Sequence, residues 1–185
     1  IINKQTGVKF GKSEAGAVWL DPAKTSPYQF YQFWLNCDDE TSEDLIKIYT
    51  LLGKDEVESI IASHKSKPGA RLLQKTLARE VTELIHGRER CESVERVTAV
   101  LFGGENFQSL SEADIDELAA EIPTVRKQTV VAVLVESEVV ASNGEAKRLI
   151  EGGGVSVNGQ KITDDHEITE TSLVKKGKNS FVLVR

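Results

Sequence analysis

Between Ser26 and Ile122 apolar residues recur at intervals of three and four, and capping or breaking residues bracket each run. Ser26 as N-cap, Pro27 at the first helical position and Gln29 closing a capping box predict one helix start. Tyr28, Tyr31 and Leu35 then share a face, with Phe30 and Trp34 beside it. Such a row suits a core or a platform for stacking RNA bases, and the core is the expectation. Thr41 with Asp44 predicts the next start; Leu45, Ile48, Tyr49 and Leu52 form its face, and Gly53 stops it. Asp55 with Glu58 predicts a shorter helix carrying Val57, Ile60 and Ile61. After Lys67-Pro68-Gly69, a longer one is drawn by Leu73, Leu77, Val81, Leu84 and Ile85 and ends at Gly87. Cys91, Val94, Thr98, Leu101 and Phe102 form a stripe closed by Gly103-Gly104. Ser111 with Asp114 caps a last helix, whose Ile115, Leu118, Ala119 and Ile122 point one way before Pro123. Short connections between five or six helices predict a compact bundle over residues 26–123.

The pattern changes beyond a polar stretch from Pro123 to Gln128, which reads as a boundary. Val130 to Val135 is dense in valine, a strand by propensity alone. Ser142-Asn143-Gly144-Glu145 is a capping box, Ala146, Leu149 and Ile150 give an apolar face, and Gly152-Gly153-Gly154 end that helix. Val155-Ser156-Val157 alternates into Asn158-Gly159, a strong hairpin signal. Lys175-Lys176-Gly177-Lys178-Asn179 reads as a basic turn feeding a strand from Phe181 to Val184. The expected class is α+β: a helical bundle followed by a small α+β module over residues 124–185.

Composition narrows this only a little. With 185 residues and 39% apolar content the chain can build one ordinary core or two small ones. No apolar run approaches eighteen residues and no signal-peptide pattern opens the chain, so no membrane partner is expected. A start at Ile1-Ile2 without any methionine reads as a piece of a longer polypeptide. Cys37 and Cys91 have no metal-ligand spacing and read as structural thiols in a reducing compartment, so no metal site is expected. His64, His86 and His166 are isolated and receive no role. A net charge of −6 argues against a uniformly basic nucleic-acid binder. Its distribution is uneven, since residues 124–185 carry 9 Lys/Arg against 8 Asp/Glu while residues 1–123 carry 14 against 21.

The stretch with the clearest chemistry is Lys9-Phe10-Gly11-Lys12-Ser13. A phosphate loop needs four residues between its first glycine and Gly-Lys-Ser/Thr. Between Gly7 and Gly11 there are three, and no long helix follows, which disfavours a phosphate-loop kinase. Extended through Gly16 to Leu20 and Lys24-Thr25-Ser26-Pro27-Tyr28, the stretch resembles the mobile loop of bacterial-type tyrosyl-tRNA synthetases. That loop is their version of the class I signature Lys-Met-Ser-Lys-Ser, with Phe10 and Gly11 at its middle positions. Residues 139–150, with Gly153-Gly154-Val155 and Val157-Asn158-Gly159, resemble the small RNA-binding module named for ribosomal small-subunit protein four, which that family carries at its C-terminus. Many members carry arginine where Asn143 stands.

The resemblance implies three regions: residues 1–25 as the end of a Rossmann-like catalytic domain, 26–123 as a helical anticodon-binding domain, and 124–185 as the RNA-binding module, with Val130 to Val135 helical. It implies that Lys9 and Lys12 are catalytic cations on ATP and that Ser13 supports them. RNA contacts are implied for Asn143, Lys147, Arg148, Asn158, Lys161, Lys175, Lys176 and Lys178, and positive groups so spaced suit a phosphate backbone. Asp38 and Asp39 are candidates to accept hydrogen bonds from an anticodon guanine, with helix capping as the plainer duty. The implied partners are tyrosine tRNA, tyrosine, and ATP with Mg²⁺. The whole enzyme is expected to be a cytoplasmic homodimer, or an organellar one, joined through a catalytic domain absent here. This piece is expected to be monomeric and inactive alone, lacking the His-x-Gly-His signature and the tyrosine pocket. A freestanding RNA-binding adaptor is the alternative, and it leaves Lys9 to Ser13 unexplained.

Overall fold

The computed structural model describes residues 18–185, so Lys9, Lys12 and Ser13 lie outside the described residues, as do the turn expected at Gly7 and most of the expected catalytic-domain end. The chain divides into two compact units, one ending at Glu95 and the other running from Arg96 to Arg185. Among the described residues no helix is long and apolar enough to cross a membrane.

The first unit holds α1 (Pro27–Leu35), α2 (Asp39–Tyr49), α3 (Lys54–Ser66), α4 (Leu72–His86) and most of α5 (Arg88–Thr98). A turn precedes them, in which the Asp21 carbonyl accepts from the Lys24 and Thr25 N–H groups at 3.0 and 3.1 Å. Ser26 Oγ then accepts from the Gln29 N–H at 3.1 Å, and Pro27 begins α1 without leaving an orphan donor. Phe30, Tyr31 and Trp34 are only 1, 4 and 5% exposed, so the aromatic row is core. They pack with Leu45, Ile46, Val57, Leu73, Leu77 and Val81.

Two helix boundaries differ from the sequence expectation. Asp38, not Thr41, caps α2: its Oδ1 accepts from the Thr41 N–H at 2.8 Å and its Oδ2 from the Thr41 hydroxyl at 2.7 Å. Aspartate caps as well as threonine does, and it stands three residues ahead of the Thr41 N–H, the spacing that a capping side chain spans. At the other end α2 stops at Tyr49, and Gly53 is the N-cap of α3. The supposedly shorter helix is therefore the longer of the two, 13 residues against 11. Gly87, with φ of 86°, ends α4 as expected. Leu84 and Ile85, however, are 54 and 38% exposed. Periodicity sets the direction of a side chain, but burial requires a neighbour, and the α4 share of the apolar core ends at Val81, followed only by the buried Thr82.

In the second unit α5 passes into a π-helical turn, Ala99–Gly103, closed by Gly104 at φ of 82°. The wider turn buries Leu101 and turns Phe102 outward, which breaks the expected stripe. α6 (Glu112–Ala119) carries the predicted Ser111–Asp114 capping box with both bonds formed. Asp114 is also held by Arg96 through two contacts of 2.9 and 3.0 Å.

Beyond Pro123 come β1 (Thr124–Val125), α7 (Val130–Glu136), α8 (Asn143–Glu151), β2 (Val155–Val157), β3 (Gln160–Lys161), β4 (Ser172–Lys176) and β5 (Ser180–Val184). They form one sheet in the order β1-β5-β4-β2-β3, with β1 parallel to β5 and the other pairs antiparallel. The architecture is thus mixed α+β, rich in helix, with one five-stranded sheet among the described residues.

α7 is helical despite its valines, as the resemblance implied. Valine costs less than about 0.7 kcal/mol in helix propensity, whereas burying one such side chain contributes about 1.5–3 kcal/mol. Val130, Val131, Val133 and Leu134 are all buried, so packing wins. Its first turn is also well satisfied: the Val130 N–H reaches His166 O at 3.1 Å and the Val131 N–H reaches Asp165 Oδ1 at 3.0 Å.

Candidate nucleic-acid interface

The helix α8 starts where Ser142 Oγ accepts from the Glu145 N–H at 3.3 Å. Glu145 Oε2 accepts in turn from the Ala141 N–H at 3.0 Å, one residue ahead of the donor a standard capping box uses. Asn143, Lys147 and Arg148 ride exposed on this helix while Ala146 and Ile150 face the core. The helix closes as Gly153, at φ of 65°, lets the Gly154 N–H return to Leu149 O at 2.8 Å.

Asn158 and Gly159, at φ of 50° and 81°, make the left-handed two-residue turn between β2 and β3. The Asn158 side chain is turned inward: its Oδ1 accepts from the Leu173 N–H at 2.8 Å and its Nδ2 donates to Ser172 Oγ at 3.2 Å. Its amide therefore secures the hairpin against β4.

The expected basic turn is different in detail. Lys175 and Lys176 are strand residues of β4, and only Gly177, Lys178 and Asn179 form the turn. Adjacent strand residues face opposite ways, so the two lysines are separated by the sheet. Lys176 donates to Val139 O at 2.8 Å, on the side that α7 and α8 cover. Lys175 lies on the other face, with its ammonium 5.0 Å from the centre of the Phe181 ring and 3.4 Å from Leu101 O. Register places Lys161, Ser156, Lys175 and Phe181 in one row across β3, β2, β4 and β5. Lys161 and Lys175 line one cleft of about 470 Å³ together with Gly153, Gly154 and Gly159. The structure thus joins Lys161 to Lys175 and sets them on the face away from Lys176. Ser156 and Phe181 enter this row unannounced by the sequence, because strand register alone brings them there.

In the first unit, both Asp38 oxygens are engaged by Thr41, whereas Asp39 opens α2 with its side chain 59% exposed. The Gln74 side-chain amide donates to Asp39 Oδ1, and His64 Nε2 stands 3.1 Å from the same oxygen. The Gln74 hydrogen bond holds the Asp39 carboxyl below its ordinary value, against the opposing effect of desolvation and with His64 and Arg71 adding to it. Sequence spacing could not find this group, since Asp39, His64 and Gln74 come from three helices. The cysteines are chemistry of another kind, Cys91 buried and Cys37 half-buried. Burial first, then nearby acidic groups, push Cys91 up to about 12 and Cys37 up to about 11, so both are inert thiols at neutral pH. Among the described residues no three His, Cys, Asp or Glu side chains gather to hold a metal ion.

The first unit thus presents an exposed carboxylate contacted by two buried side chains, and the second sets Lys161 and Lys175 on one face of its sheet. Residues 1–103 match the family model described as tRNA synthetases class I (W and Y), and the chain belongs to that family. A second model, described as the tyrosine–tRNA ligase SYY-like C-terminal domain, matches residues 114–185. Among curated relatives, the tyrosine–tRNA ligase of Aliivibrio salmonicida is 43% identical over 99% of this chain and 46% of its own length. That of Cytophaga hutchinsonii is 41% identical over 100% of this chain and 48% of its own. The chain therefore spans about half the length of the curated relatives it matches. A solved C-terminally truncated mitochondrial tyrosyl-tRNA synthetase of Aspergillus nidulans is similar to 46% of this chain and 25% of its own, at 35% identity and a TM-score of 0.46.

Proposed function

We propose that this chain is the C-terminal, tRNA-gripping part of a tyrosine–tRNA ligase. The observation that carries the reading is the end-to-end similarity, 43% identity over 99% of the chain, to an enzyme of that name. Matches to synthetase models in both halves of the chain leave the adaptor alternative without support. In the whole enzyme tyrosine attacks the α-phosphorus of ATP, assisted by Mg²⁺, and diphosphate departs; the tyrosyl group then passes to tyrosine tRNA. Lys9 and Lys12 meet the charge that grows on the departing oxygens, with Ser13 supporting them. Cations that engage only as this charge develops raise the rate without tightening the ground state. The enzyme dimerises through its catalytic domain and works in the cytoplasm or an organelle.

Residues 26–123 act as the anticodon-binding domain and 124–185 as the module related to ribosomal small-subunit protein four. The pair α7 and α8 leading into the Asn158-Gly159 hairpin supports that kinship. Asn143, Lys147, Arg148 and Lys178 contact phosphates from the helix and the turn. Lys161 and Lys175 do so from the cleft. Asn158 serves by fixing the hairpin that carries Lys161, and Lys176 by tying β4 to the segment before α8. Of the two aspartates, Asp39 is the anticodon reader and Asp38 is the cap.

Aminoacylation of tyrosine tRNA by the complete protein tests the first claim. Lys12→Ala should lower turnover about a hundredfold, the loss of roughly 3 kcal/mol typical of one preorganised contact. Unchanged turnover removes the loop from the mechanism. Binding of tyrosine tRNA to this chain should weaken steadily as salt rises; a flat response removes the phosphate role of the cations.

A further inference from the structure

Gln74 and His64 are each only 2% exposed, yet both aim a nitrogen at a carboxylate that is 59% exposed. Gln74 lies on α4, His64 on α3 and Asp39 at the start of α2. The arrangement is costly in a particular way. Gln74 Oε1 and His64 Nδ1 are buried without a hydrogen-bond partner among the described residues. Buried polar groups left half-satisfied destabilise a fold. His64 Nε2 is within ion-pair distance of Asp39 Oδ1 but too oblique for a full hydrogen bond. Helix capping does not account for the group, because Asp38 already caps α2. What the two buried side chains do achieve is to fix one oxygen, Oδ1, of a carboxylate that is otherwise exposed. They also favour its ionised form.

We propose that Gln74 and His64 are positioning residues that hold Asp39 as a rigid, charged acceptor for a base edge of the bound RNA. The inference rests on Asp39 being the anticodon reader. An ionised carboxylate accepts and never donates. It therefore favours guanine, whose pairing edge presents two adjacent N–H donors, over adenine, whose edge places an acceptor beside its amino group. A wandering carboxylate would discriminate poorly, since an exposed side chain could rotate away from the mismatched base. Anchoring Oδ1 removes that escape.

The test measures binding of this chain to tyrosine tRNA transcripts whose anticodon guanine is kept or replaced by adenine. Asp39→Asn should abolish the preference for guanine. Gln74→Leu, which keeps most of the volume, and Gln74→Glu, which keeps the shape but sets a second carboxylate against Asp39, should each lower the preference about tenfold. In an Asp39→Asn background Gln74→Leu should change the preference no further. Should Gln74→Leu prove unable to fold, as seen by circular dichroism, Gln74→Glu and His64→Leu carry the same comparison. If Asp39→Asn lowers the preference while the Gln74 and His64 variants do not, the positioning role is overturned and the reader stands. If Asp39→Asn leaves the preference intact, the reader itself falls. An equal effect of Gln74→Leu with and without Asp39 makes Gln74 a general packing residue and also overturns the proposal.

Discussion

The two units build their interiors from different materials. Up to Glu95 the core mixes aromatic with aliphatic side chains and carries polar ones inside it: Phe30, Tyr31 and Trp34 are buried, as are His64, Gln74, Ser42 and Thr82. From Arg96 onward the cluster is aliphatic, nine valines with leucine, alanine and isoleucine, and among the described residues only Asp114 and Ser172 are buried polar side chains there. The difference tracks what each unit presents. Fixing a carboxylate takes buried donors reaching out from behind it. Carrying exposed lysines takes only a stiff support, and a sheet under two short helices provides one.

The largest effects should test whether the two interiors are separate. Phe30→Ala should cost about 3–5 kcal/mol and Leu134→Ala about 2–5 kcal/mol in their own units. Both tryptophans, Trp19 and Trp34, lie in the first unit, so tryptophan fluorescence follows that unit alone. Denaturant titration should shift the fluorescence midpoint for Phe30→Ala and spare it for Leu134→Ala. A fluorescence shift of equal size for both would mean the units unfold together and would erase the contrast.

A smaller effect probes the stiffness of the second unit. Asn158→Ala leaves at a φ of 50° a residue that tolerates it less well than asparagine and removes two side-chain bonds, which should cost about 1–3 kcal/mol by thermal melting. Asn158→Gly should recover the turn but not the bonds, so its loss should be intermediate. Smaller again is the N-cap of α8, where Ser142→Ala should cost about 1 kcal/mol.

The least effect concerns acid. The Asp39 carboxyl is held below its ordinary value in the fold. Its contribution is therefore complete above the unfolded carboxylate value and is lost as pH falls through the lower folded one. Wild-type chain should lose a small increment of stability in that acid range, and Asp39→Asn should not. If both follow the same acid profile, Asp39 is no better held than any surface carboxylate.

Much of this was legible beforehand, for an identifiable reason. Capping at Ser26, Ser111 and Ser142, the stops at Gly87 and Gly153, and the Asn158-Gly159 turn are chemistry between residues a few positions apart. The errors at Thr41 and Gly53 were local too, because two acceptable caps stood close together and only geometry could choose between them. Val130 to Val135 misled propensity because burial outweighs it, and the resemblance corrected that reading.

By itself the sequence determined where helices begin and end to within a few residues, most of the core stretches, and the family to which the chain belongs. Only tertiary structure decided that Lys175 and Lys176 part to opposite faces, that Lys161 joins Lys175, and that His64 and Gln74 converge on Asp39. Caps and turns are written in neighbouring residues. Strand register and helix packing join residues separated by tens of positions, and no local pattern encodes which of them will meet.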